Sequence, residues 1–129
     1  MTPEQKIKYL ILVRRAELAD ESSPVLTAET VDKVYEEAEL NDDGSLQDAR
    51  SEVRSSGEET GLPVRFSSRH YESDEVAAQA LDGSWVGWTY WHGGGKYGEP
   101  EAVDWIKDAY DVACAEEQKI VTVRTFTTK

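Results

Sequence analysis

The chain reads as an α+β protein, with N-terminal helices packed on one face of an antiparallel sheet of about four to five strands built from two hairpins. Three observations predict this. Helical periodicity is confined to the first half, a change to strand patterning follows a Gly/Ser/Glu-rich stretch at residues 55–63, and an Asp82-Gly83 pair is flanked by strand-like runs. With 129 residues, 39% of them hydrophobic, the chain suits one domain with its own core. Residues 1–60 form its acidic helical part, and residues 61–129 its sheet part, with a short helix near 100–107.

Thr2-Pro3-Glu4-Gln5 opens the first helix: Thr2 caps, Pro3 stands where a missing N–H is harmless, and Gln5 completes a capping box. Ile7, Leu10, Ile11 and Leu18 share one face of a helix running to about Leu18, widened by Leu12 and Val13. Thr27 is expected to cap a second helix, whose Val31, Val34, Tyr35 and Ala38 recur at helical spacing while Glu36, Glu37 and Glu39 point away. Ser45, with Asp48 three residues on, begins a third, its face made by Leu46, Ala49 and Val53.

Val64 to Tyr71 alternates loosely and is expected to be a strand beside the Asp-Gly hairpin. In a two-residue type I′ turn, Leu81 pairs with Ser84. Val76, Ala78 and Ala80 then share a core face with Trp85, Gly87, Thr89 and Trp91, leaving Ala77 and Gln79 with Val86, Trp88, Tyr90 and His92 on the other. Pro100 opens the short helix. Tyr110–Ala115 and Ile120–Phe126 form a second hairpin turning at Glu117-Gln118, with Val112 opposite Val123, Asp111 opposite Arg124, and Cys114 buried opposite Val121.

Charge narrows the function. A formal charge of −12 disfavours direct binding to nucleic acid or an anionic membrane and favours a protein partner with a basic surface. Residues 29–59 alone hold 11 acidic and 3 basic groups. The candidate partner-binding surface is therefore Glu36, Glu37, Glu39, Asp42, Asp43 and Asp48. The single cysteine excludes an internal disulfide, no N-terminal apolar run suggests a signal peptide, and no apolar run approaches the ~20 residues of a membrane span. A cytoplasmic location is expected.

Specific chemistry is sparse. Glu39 to Arg50 imitates an EF-hand loop, but Glu39 replaces the first Asp and Arg50 the bidentate Glu, so an Asp-Gly helix–helix turn is the better account. Gly93-Gly94-Gly95-Lys96 lacks Walker A spacing. His70, Glu72, Asp74 and His92 have no metal-specific spacing, and no cofactor or metal is expected. All four tryptophans fall within residues 85–105. Trp88, Tyr90 and His92 with Gly94, Lys96 and Tyr97 make a second candidate site, aromatic beside a glycine loop, suited to a partner or a small ligand. A Trp-rich face left uncovered would instead serve self-association as a homodimer.

Trp85-Val-Gly-Trp-Thr-Tyr-Trp91, Gly93-Gly-Gly-Lys96 and Gly98-Glu-Pro-Glu-Ala102 carry a further indication, together with Ser68–Glu72, Asp104-Trp105 and Val121–Phe126. On these residues the C-terminal half resembles small acidic accessory proteins of phages and prophages. Residues 1–60 lie outside the resemblance. It implies binding to a host protein, including inhibition of nucleic-acid-handling defence systems, in the host cytoplasm. Carboxylates placed in sites built for phosphates would achieve this. The sequence thus predicts a non-enzymatic protein-binding factor, with a small-ligand-binding or enzymatic domain at Trp88, Tyr90, His92 and Lys96 as the alternative.

Overall fold

A computed structural model describes residues 1–95, 98–118 and 120–129, with the side chain of Glu101 outside the description. Three helices, α1 (Pro3–Leu18), α2 (Val31–Leu40) and α3 (Ser45–Arg54), pack on one face of an antiparallel sheet. Its strands are β1 (Glu58–Glu59), β2 (Glu72–Gln79), β3 (Trp85–His92) and β4 (Tyr110–Val112), in that spatial order. The α+β class is as the sequence predicts, but several of the pieces differ.

The N-terminal half follows local chemistry. Thr2 and Gln5 form the reciprocal capping box, with Thr2 Oγ1 accepting from the Gln5 N–H at 3.2 Å and Gln5 Oε1 accepting from the Thr2 N–H at 2.9 Å. Ile7, Ile11 and Leu12 are buried in the core, and Leu18 is exposed. Helix α2 begins later than expected: Thr27 closes a turn, its carbonyl accepting from the N–H groups of Thr30 and Val31, and Thr30 is the cap residue. Helix α3 is capped from further upstream than Ser45, because Asp42 Oδ1 accepts from the N–H groups of both Gly44 and Leu46. Ser45 instead accepts from Arg15 Nε at 3.0 Å.

The hairpin register is shifted by one residue from the expected pairing. Only Gly83 of the Asp-Gly pair takes positive φ, at 88°, so the loop holds three residues, Leu81 to Gly83. Ala80 N–H donates to Ser84 O at 2.7 Å, while Asp82 Oδ1 accepts from the Ser84 N–H at 2.9 Å. Val76 therefore pairs with Trp88 and Ala78 with Val86. Since side chains alternate, a one-residue slip changes the set that reaches the core. Val76, Val86 and Trp88 face the helices, where Trp88 is fully buried and lies 5.4 Å from the Trp105 ring. Lys6 of α1 ties β4 to this layer by an ion pair to Asp111 at 2.7 Å.

The opposite face carries a buried polar group. Glu75, only 3% exposed, accepts from Thr89 Oγ1 at 2.8 Å and from the Tyr110 hydroxyl at 2.7 Å. Gly87 makes this possible, for a Cβ there would stand 2.9 Å from the Tyr110 ring crossing it. Arg65 covers the ring at 4.1 Å. Burial, then the hydrogen bond to the Glu75 carboxylate and its charge, push the Tyr110 phenol above the ordinary tyrosine range. The folded chain thus keeps this proton after the unfolded chain has lost it. Its contribution to stability is full below about pH 10 and falls as pH rises further. The thermal midpoint is expected to decline above that pH, and less steeply in Tyr110→Phe; identical slopes would contradict the assignment.

Three expected elements are corrected. Residues 64–71 form no strand: they follow Pro63, are exposed as far as His70, and touch the sheet through Arg65, the Phe66 carbonyl and Tyr71. The edge position they were to fill is held by β1, which pairs with β2. The helix at 100–107 is reduced to a single 3₁₀ turn, Pro100–Ala102. The second hairpin is absent among the described residues. Beyond β4 no residue described is in a strand, Ile120, Val121, Val123 and Phe126 are exposed, and Cys114 is exposed where a buried position was expected. Glu117-Gln118 offers no Gly, Asn or Asp to take the positive φ that tight hairpin turns need, and exposed charge pairs add only ~0.2–1 kcal/mol each. The Glu116–Lys119 pairing lies outside the described residues.

Candidate functional site

The acidic surface is built on α2, the turn after it, and the start of α3. Val31, Tyr35 and Ala38 bury one side of α2, and this leaves Glu36, Glu37 and Glu39 in solvent with Asp42, Asp43 and Asp48. Three nearby cations pair elsewhere: Lys8 with Glu4 and Asp32, Arg14 with Glu17 and Glu52, Lys6 with Asp111. Among the described residues, none of the six carboxylates is in an ion pair. Two of them have a structural duty as well. Asp42 caps α3, and Asp43 Oδ1 accepts from the Ser45 N–H at 3.1 Å. Hydrogen bonds from the Ser45 side chain and backbone hold the Asp43 carboxyl below the ordinary range.

The second candidate site divides. Trp88 lies in the core, its indole N–H donating to the Arg54 carbonyl at 3.3 Å. Tyr90 and His92 stack at 5.6 Å and line a cleft of about 610 Å³ between α3, the end of β3 and the 3₁₀ turn. Gly94 packs on Tyr71, where a Cβ would come within 3.0 Å of the ring. Lys96 and Tyr97 lie outside the described residues.

His92 is held by cross-strand carboxylates. Its Nε2 lies 2.8 Å from Asp74 Oδ2 and its Nδ1 3.6 Å from Glu72 Oε2. His70 is exposed, and its N–H donates to Ser68 Oγ at 3.2 Å. Among the described residues no cluster of three His, Cys, Asp or Glu is arranged to hold a metal. Nor is any described helix long and apolar enough to cross a membrane.

Models of known protein families, curated proteins and solved structures give no match to this chain.

Sequence reasoning passed over Arg50 and Arg54, which line the cleft with Gln47, Gly93, Glu99 and Pro100. A sign of them was legible. They stand four residues apart on α3, a mildly unfavourable like-charge spacing, and neither has an acidic residue three or four positions away within the helix. Arg50 donates from Nε to the Tyr35 hydroxyl at 3.0 Å. Arg54 is buried, its guanidinium 4.5 Å from the Tyr90 ring centroid and its Nη2 donating to the Trp91 carbonyl.

Proposed function

We propose that this chain is a non-enzymatic protein-binding factor of phage or mobile-element type, acting in the cytoplasm on a host protein with a basic, nucleic-acid-handling surface. One observation carries this reading: six exposed carboxylates within residues 36–48 form no ion pair among the described residues. Carboxylates left in solvent keep their hydration until a cationic partner arrives, and their combined field raises the association rate with such a surface. The resemblance of the C-terminal half to phage accessory proteins points the same way.

The test separates charge from folding. Asp42 and Asp43 bond the start of α3, so reversing them would disturb the helix as well as the field. The informative variant reverses Glu36, Glu37, Glu39 and Asp48 to lysine. In pull-downs from host lysate, the wild type is expected to retain a nucleic-acid-binding protein at low salt and release it at high salt. The fourfold variant should retain none of it, and added DNA should compete. Retention by that variant, or capture indifferent to salt, would sink the acidic reading.

A further inference from the structure

A cation buried as deeply as Arg54 calls for a counter-charge. The residue is 4% exposed, and its Nε is enclosed with no acceptor among the described residues. In a chain with 26 acidic residues, no described carboxylate pairs with Arg54 or with Arg50. A guanidinium removed from water without an anion is strongly unfavourable, while a charged ligand seated beside it recovers that loss. The cleft of about 610 Å³ next to Arg54 has the size of a small-molecule site, and Gln47 adds a neutral amide to its lining.

We propose that this cleft binds a small organic monocarboxylate, its anion held by the guanidinium groups of Arg54 and Arg50. Arg50 holds the Tyr35 hydroxyl with Nε and Nη2, and Arg54 the Trp91 carbonyl with Nη2, so a carboxylate takes the N–H groups that remain on the two planar guanidinium groups. A doubly charged phosphate fits less well. Glu99 lines the same cleft, and Glu72 and Asp74 flank His92 at its edge, so each additional negative charge on the ligand meets repulsion. The site is separate from the acidic surface and does not depend on it.

The full chain supplies its own reporter, because the indole N–H of Trp88 donates to the Arg54 carbonyl. Titration with N-acetylglycine at constant ionic strength, followed by ¹H–¹⁵N NMR, is expected to shift the Trp88 indole and Arg54 Nε signals saturably. Arg50→Gln should weaken binding about tenfold. If Arg50→Gln loses the dispersed spectrum of a folded chain, Arg50→Lys replaces it; this variant keeps the charge but not the fork, and should also bind more weakly. Absence of saturable shifts, or undiminished affinity in the arginine variant, would overturn the site. Tighter binding of inorganic phosphate than of N-acetylglycine would overturn the choice of ligand.

Discussion

Trp88→Ala is expected to cost about 3–5 kcal/mol of unfolding free energy, the range for deleting a large buried aromatic. That is a large share of the ~5–15 kcal/mol that holds a typical domain together. Three contacts justify placing it at the upper end of single-residue effects. The indole has no exposed surface, and the Trp105 ring lies 5.4 Å away. The backbone closes tightly on it at Gly57, where a Cβ would stand 2.9 Å from the indole. Its N–H also serves the Arg54 carbonyl, so alanine leaves both a void between sheet and helices and an acceptor without its donor. Urea denaturation followed by circular dichroism measures the loss. Trp88→Phe, which keeps most of the volume and gives up the hydrogen bond, should fall between alanine and wild type. A loss below about 1 kcal/mol in the alanine variant would mean that the helices do not pack on this ring.

Gly87→Val acts on the other face, and by overpacking. Its Cβ would approach Val112 Cγ2 to 2.7 Å and the Tyr110 ring to 2.9 Å, so one of the two strands must give way. Strand β4 has only three residues, and it yields first. Displacing it separates the Tyr110 hydroxyl from Glu75 and leaves that buried carboxylate with Thr89 alone. The expected cost is about 1–3 kcal/mol, with faster hydrogen exchange at the amides of residues 110–112. Unchanged exchange there would show that β4 is not seated against Gly87.

What was legible in the sequence is what neighbouring residues decide among themselves. The capping box at Thr2 and Gln5 closes within three positions, and α1 forms where its residues predict. The Asp82-Gly83 turn was visible as a turn, yet its length was not, because the choice lies between positive φ at Asp82 and a side-chain bond from Asp82 to Ser84. That choice decides which tryptophans face the helices. Strand β1 consists of two glutamates and carries no pattern of its own; pairing with Ala77 and Val76 makes it a strand. Conversely, Ile120 to Phe126 has the composition of a strand but no turn to return it to β4. The cleft was hidden for a similar reason. Arg54 meets Tyr90 and Trp91 across 36 and 37 positions, and only packing brings them together.

The crowding of all four tryptophans into residues 85–105 has an optical consequence. Intrinsic indole emission of this chain originates wholly from β3 and from the segment that follows it, and none arises within the three helices. A fluorescence trace therefore times the burial and exposure of the sheet layer, whereas far-ultraviolet ellipticity is dominated by α1, α2 and α3. Recorded together on one unlabelled sample, the two signals give separate clocks for the two layers, and any lag between them measures how tightly the helices and the sheet fold as a unit.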